Sequence, residues 1–577
     1  MILARHQRVM LCAIAALLAE LLVCWRPARA DAHARLAFCT GNIAAPHTVR
    51  IVRNLGEGTL LLRPASEPVA ESCSQRETAL PMDAVRWLGA LPSHAVRNSR
   101  GLTLVSRADN GRIMSLEPDA EAKNQMRTLL PRAYVLPALS VRAFGAEARA
   151  EAQEHGSAVE ITCGAGAAPA GTVLRLGRVP VGLAAAIAVE ATGDAGFHVQ
   201  LTRDGADAPN LGTPFTPAGG QQVARMTVPP APLELALVVS CPGRAAQLRL
   251  TRATVVATRN TPTLERSAWI WEPEAWESHG DALIAWARRA GLGKVLLTIR
   301  TANQKVMRPH ELADFIRRAR AEGLSVNAAE GDPEMISTSG LAHALARAAA
   351  FADYQRAHPD ARLAGIQYDI EPYVAPGFAS DPARAWRMWA SALARLSAAL
   401  GTRVDAVVPF WLLDSEGGQA ALEASAAALE RITIMAYRTE PAAVLAAAAP
   451  LVEWASARRL PVAIALETGA LDAERRDRFV PASEGELHLV GLGDLAGAIL
   501  LDRPQPAAPG TTAFRRLFTT SADQSRVTFH GQPERLADTL REITPDLAAW
   551  PMTAGIALHG LDWRATLPSH KTNGATP

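Results

Sequence analysis

The chain has 577 residues, more than one hydrophobic core usually serves, so two or three domains are expected. Hydrophobic residues make up 49% and charged residues 20%, which excludes a disordered chain and a polytopic membrane protein. The net charge is +2 and no dense basic run is interleaved with aromatics, which excludes a dedicated nucleic-acid binder.

The N-terminus reads as an export signal. Arg5, His6 and Arg8 precede an apolar run from Val9 to Ala19, which Glu20 interrupts before Leu21–Trp25. Ala28-Arg29-Ala30 is an A-x-A cleavage site, so the mature chain is expected to start at Asp31, periplasmic or secreted and without a stable membrane span. Cys12 and Cys24 leave with the signal. Cys39, Cys73, Cys163 and Cys241 remain, an even number for an oxidising compartment. The pairing expected is Cys39–Cys73 and Cys163–Cys241, each within one region.

Residues 31–139 mix short strands such as Thr48–Val52 and Thr59–Leu62 with irregular chain, and suggest no function of their own. Residues 140–260 read as a β-sandwich. The strands are Val159–Cys163, Thr172–Leu176, Ala185–Ala191, Phe197–Thr202, Gln222–Val228, Leu233–Cys241 and Ala246–Val256, separated by Gly-, Asp- and Pro-rich turns. This region resembles, in architecture, the jelly-roll accessory modules of glycosidases, although no aromatic platform for sugar stands out on it.

From residue 261 onward strands and helices alternate. The strands are Ala268–Glu272, Lys294–Ile299, Leu324–Ala329, Leu363–Glu371, Arg403–Pro409, Ile432–Tyr437, Pro461–Glu467 and Ala554–His559. Seven helical segments lie between them, the last including Pro533–Leu540. Eight apolar strands with intervening amphipathic helices predict a (β/α)8 barrel, so the fold class is α/β. Trp386, Trp389, Leu393 and Leu396 mark the core stripe of one helix. A long insert, roughly 470–531, separates strands seven and eight.

The stretch Ala364-Gly365-Ile366-Gln367-Tyr368-Asp369-Ile370-Glu371 carries the chemistry. Side chains alternate along a strand, so Gln367, Asp369 and Glu371 share one face, which must be the barrel interior. Two neighbouring carboxylates are costly to bury and repel each other, so one becomes a held acid beside an ionised base. Glu371, at the strand's C-terminal end, is the natural proton donor. Salt bridges to Arg300 or Arg438 are the structural alternative.

This stretch resembles the family-18 glycoside hydrolase signature, D-G-x-D-x-D-x-E on strand four, with Gly365, Asp369 and Glu371 matching. Ala364 and Gln367 stand where two aspartates belong. Met435-Ala436-Tyr437 is similar to the family's M-x-Y on strand six, with Arg438 in place of an Asp. Trp563 stands where the family has a tryptophan beneath the central sugar. The resemblance implies a glycosidase in which Glu371 protonates the glycosidic oxygen. Asp369 would orient the substrate's 2-acetamido group, and Tyr437 would hydrogen-bond its carbonyl. The arginine at 438 could meet an acidic sugar.

Glu467, ending strand seven, also resembles the nucleophile of two-carboxylate retaining glycosidases, with Glu371 as acid/base; Ile370 stands where that clan has Asn. Trp271, Glu272, Arg300, Glu330, Trp411, Asp562 and Trp563 are further strand-end residues suited to stacking on sugars or hydrogen-bonding their hydroxyls. Asp332, Asp414 and His559 lie at strand ends too. No histidine pair has metal-ligand spacing, no G-x-S-x-G elbow occurs, and Gly491-Leu492-Gly493 is a lone fragment, so no cofactor or metal is expected. The function expected is that of an exported glycoside hydrolase cleaving the glycosidic bonds of a polysaccharide, with Glu371 as general acid. The alternatives are a catalytically inactive glycan-binding barrel or an accessory protein of exopolysaccharide export.

Overall fold

A computed structural model of the chain describes residues 127–145 and 149–564, apart from breaks at 204–210, 212–214, 218–219, 229–232, 259–263, 376–377, 379–380, 493–494, 508–510 and 522, together with separate segments between 33 and 118. The expected signal and the expected Cys39–Cys73 pair lie outside the described residues.

Eight parallel strands close into a barrel in chain order. They are β1 (Glu265–Ile270), β2 (Lys294–Leu297), β3 (Ser325–Glu330), β4 (Ile366–Tyr368), β5 (Val404–Pro409), β6 (Leu429–Met435), β7 (Val462–Glu467) and β8 (Thr553–His559). Between them run α1 (Gly280–Arg289), α2 (Pro309–Ala321), α3 (Thr338–Ala357), α4 (Pro382–Leu400), α5 (Gly418–Ser425), α6 (Pro441–Arg458) and α7 (Pro533–Leu547). Helix α4 shows how the sequence sets its bounds. The Asp381 side chain accepts from the Arg384 amide, Pro382 opens the first turn, and Gly401 ends the helix in the left-handed region at φ 69°. Its stripe of Trp386, Trp389, Leu393 and Leu396 is buried, as its period predicts.

The fourth strand is shorter than its apolar pattern suggests. Pro372 has no N–H to add to a ladder, and residues 372–374 wind into a 3-10 turn instead. The ladder still continues past the strand, because the Asp369 amide donates to the Glu330 carbonyl at 2.7 Å. Side chains keep the expected alternation. Ile366, Tyr368 and Ile370 join the core shared with the helices, whereas Gln367 enters the barrel.

All seven sandwich strands expected from the sequence are present, in two antiparallel sheets. One is ordered Gly220–Val228, Ala185–Gly193, Ala246–Ala257, Ala158–Cys163, Ala150–His155; the other His198–Arg203, Leu233–Ser240, Ala170–Val179, Ser140–Gly145. The two added strands, Ser140–Gly145 and Ala150–His155, are edges with no apolar alternation to announce them. Cys163, on the first sheet, is bonded to Cys241, just past a strand of the second. Closing a loop over a separation of 78 residues removes unfolded-chain entropy worth about 4.5 kcal/mol.

The sandwich is fastened to the ends of α6 and α7. Arg178 donates to both oxygens of Glu453 at 2.5 and 2.7 Å, and the Val181 amide adds a third bond. Arg132 pairs with Asp546, and the Ala184 amide donates to the Ala549 carbonyl. Helix C-termini feed the N-terminal ends of the next strands. The sandwich therefore packs at the closed end of the barrel, away from the strand C-termini where barrel sites form.

The insert between β7 and β8 forms four strands, Glu474–Ala482, Glu484–Leu492, Leu495–Pro506 and Thr511–Ser521. With Val85–Pro92, Leu102–Arg107 and Ile113–Pro118 they make one seven-stranded antiparallel sheet, a compact unit of its own. Leu102, Leu104, Phe479, Leu487 and Phe514 are in its core. Among the described residues no helix is long and apolar enough to cross a membrane.

Candidate active site at the barrel mouth

The barrel interior is built in layers, because residues two apart on each strand point inward. At the closed end lie Glu265, Lys294, Asp405 and Arg431. The Lys294 ammonium sits 2.7 Å from Glu265, with Arg431 at 3.7 Å. The middle layer is apolar: Trp269, Leu296, Ala329, Val407, Met435, Ala465 and Ala557. Gln367 is its β4 member. It accepts from the Trp269 indole at 2.7 Å and donates to Thr433 at 3.1 Å, so both ends of its amide are engaged within the protein.

The next inward positions form the mouth: Trp271, Asp369, Glu371, Tyr437, Glu467 and His559. Asp369 carries a buried Oδ1 with no hydrogen-bond partner. Burial, then the charge of Glu371, pushes its carboxyl up to about 7, and His559 only partly offsets this. The fold thus favours the protonated form of Asp369. Glu371 is half-buried and accepts a hydrogen bond from the Tyr373 hydroxyl. That phenol is pushed well upward by burial and by Glu371, so it remains a donor. Tyr373 is set in turn by the Trp411 ring, edge-on at 5.0 Å, and by Met435, whose sulfur lies 4.0 Å from its hydroxyl. Sequence alone does not single out Tyr373; its position two residues beyond Glu371 is the only signal.

Across the mouth Glu467 is fully engaged. One oxygen accepts from the Gly469 amide at 2.7 Å and the other faces His559 Nδ1 at 2.7 Å. Gly560, at φ 73°, makes this possible: a Cβ there would lie 2.5 Å from the Gly469 backbone and 2.8 Å from the Glu467 carboxylate. His559 Nε2 accepts from the Trp271 indole at 3.0 Å, and its ring stacks on Tyr437 with centroids 6.2 Å apart. The Tyr437 phenol is pushed well above its ordinary value by burial, then by Glu467, Asp369 and Glu371.

Other residues predicted from the sequence lie elsewhere. Glu330 points away from the interior and pairs with Arg347 of α3; burial raises its carboxyl although Arg347 opposes this. Arg300 pairs with Glu274 and Glu277. Glu272 accepts from the Trp563 indole at 3.3 Å and from Arg564 at 3.1 Å. Trp563 is 3% exposed, with the Arg564 guanidinium over its ring at 5.2 Å, so its indole is occupied within the protein. Asp562 accepts from the Arg564 amide and shapes that turn. Arg438 donates to the Tyr437 carbonyl and lies over the Phe410 ring at 4.5 Å. Among the described residues no group of three His, Cys, Asp or Glu is arranged to hold a metal ion.

No protein-family model matches the chain, and no curated protein matches it. Among solved structures it is similar to the Bacillus cereus spore cortex-lytic enzyme SleL, at 10% identity over 55% of this chain and 76% of that one, with a TM-score of 0.29. It is also similar to the CBM22-1–GH10 modules of Clostridium thermocellum endo-1,4-beta-D-xylanase 10B, at 8% identity over 57% and 79%, TM-score 0.25. A family 11 carbohydrate-binding module from a Clostridium thermocellum cellulosomal cellulase matches 22% of the chain and 95% of its own length, at 9% identity and TM-score 0.18.

Proposed function

We propose that the chain is an exported glycoside hydrolase acting at the mouth of its barrel, with Glu371 as general acid. The observation that carries this reading is a pair of carboxylates, Asp369 and Glu371, two residues apart on one strand end, to which no arginine or lysine is bonded among the described residues. A buried acid without a cation is a poor structural device and a good proton store. Asp369, held up to about 7, keeps its own negative charge away from the pair near neutral pH, and Glu371, at the mouth, is the acid placed to protonate a glycosidic oxygen. The Tyr373 hydroxyl stabilises the Glu371 carboxylate once its proton has left.

Both oxygens of Glu467 are engaged within the protein, which favours the Asp369–Glu371 pair over a Glu467 nucleophile. In this reading a substrate 2-acetamido group supplies the nucleophile, positioned by Asp369 and by the Tyr437 hydroxyl. The Cys163–Cys241 disulfide agrees with an oxidising compartment and hence with cleavage after Ala30. Recovery of a mature chain beginning at Asp31 from a periplasmic or culture fraction tests the export.

A second reading has one specific support. Gln367 stands where the resembled family has an aspartate, and its amide is engaged with Trp269 and Thr433, so the relay behind Asp369 is truncated. The barrel would then bind glycan without cleaving it, or serve polysaccharide export. Reducing-end release from chitin oligosaccharides, peptidoglycan and β-glucans separates the readings. Hydrolysis by wild type that falls by about 10²–10⁴-fold in Glu371→Gln is the expected result. Binding without cleavage by either form favours the inactive barrel.

A further inference from the structure

His559 is bonded through both ring nitrogens, and the two bonds make opposite demands. An ionised carboxylate only accepts, so Nδ1 must give its proton to Glu467. An indole N–H only donates, so Nε2 must keep a free lone pair for Trp271. Both hold together only when the ring is neutral. A proton arriving at Nε2 would face the Trp271 N–H head-on, donor against donor. The indole in turn lies beside the acid pair: a Cβ at Gly331 would meet the tip of the Trp271 ring and the Asp369 Cβ, each at 3.4 Å.

We propose that His559 is the positioning residue of the mouth: neutral, it anchors the Trp271 indole beside Asp369, and protonated at Nε2, it releases that indole. The groups facing the ring are Glu467 from β7, Tyr437 beyond β6, Asp369 and Glu371 beyond β4, and Trp269 and Trp271 from the β1 side. Burial pulls the imidazole's pKa down, but the hydrogen bond to Glu467 and the charges of Glu467, Asp369 and Glu371 outweigh it and lift the pKa above the ordinary value. The Trp271 bond opposes protonation. Release therefore comes as the pH falls. The consequence for turnover rests on reading the mouth as the saccharide site, whereas the anchoring does not.

The test reads the indole itself, so it is decided without any hydrolysis. Tryptophan fluorescence of the full-length protein is titrated over the pH range in which far-UV circular dichroism stays constant. Wild type shows a transition that Trp271→Phe and His559→Gln each remove. Glu467→Gln, which withdraws one of the charges that lift His559, moves the midpoint lower by about one pH unit. The proposal is overturned by a wild-type signal with no transition, by the same transition persisting in Trp271→Phe, or by a midpoint unmoved in Glu467→Gln.

Discussion

The two ends of the barrel interior treat charge in opposite ways. At the closed end Glu265, Lys294, Asp405 and Arg431 offer two acids and two bases. Burial raises the Asp405 carboxyl, and Arg431 and Lys294 pull it back. At the mouth Asp369, Glu371 and Glu467 face one imidazole, and Asp369 is left with an unpaired oxygen. Both ends belong to one closed barrel, so the difference is not one of fold. Charges at the closed end are matched as structure requires, whereas those at the mouth are held in a state that costs stability, which is where chemistry is expected.

Neutralising one acid at each end should separate these roles. Asp369→Asn is expected to have the largest effect, lowering hydrolysis by about 10²-fold or more. It should also stabilise the fold. The folded pKa of Asp369, about 7, lies above its ordinary value of 3.8, so the fold favours the protonated form. The stability from that preference is complete below about pH 4 and is lost as the pH rises through about 7. In chemical denaturation Asp369→Asn should therefore gain up to about 4 kcal/mol over wild type at pH 8, and nothing at pH 4. A gain that is equal at both pH values would show that Asp369 is not the proton holder.

Glu265→Gln should do the reverse. It leaves the Lys294 ammonium, whose side chain is 9% exposed, without its nearest partner. A loss of about 2–3 kcal/mol is expected, with the midpoint of urea unfolding as the readout. A neutral result would remove the contrast between the two ends. The smallest effect is expected from Gly331→Ala, whose methyl would come within 3.3–3.4 Å of Asp369 and Trp271. Stability should change by less than about 1 kcal/mol while the Trp271 fluorescence shifts, and an unshifted spectrum would place the indole elsewhere.

Much of this was legible beforehand, for reasons particular to each element. The barrel strands are buried on both faces and read as short apolar runs, and the helices between them keep a 3.6-residue stripe. The seven expected sandwich strands carry apolar runs between turn residues, whereas the two added edge strands, Ser140–Gly145 and Ala150–His155, are exposed along most of their length and do not. The parity of Gln367, Asp369 and Glu371 placed two acids at the mouth. It names Glu371 as the donor, whereas the folded surroundings hold up the carboxyl of Asp369, an effect of burial that strand parity does not carry. The place of Glu330 at the end of β3 suggests the mouth, yet its parity turns it toward Arg347.

The order of strands and helices and the face each strand turns inward follow from local periodicity and spacing, which a linear chain carries in full. The joining of the 474–521 insert to strands some 370 residues earlier, the fastening of the sandwich to the closed end, and the union of Trp271, His559 and Glu467 needed the folded chain. Each depends on contacts between segments far apart in the sequence, and neither hydrophobic period nor residue spacing encodes which distant partner a backbone edge or a ring nitrogen will find.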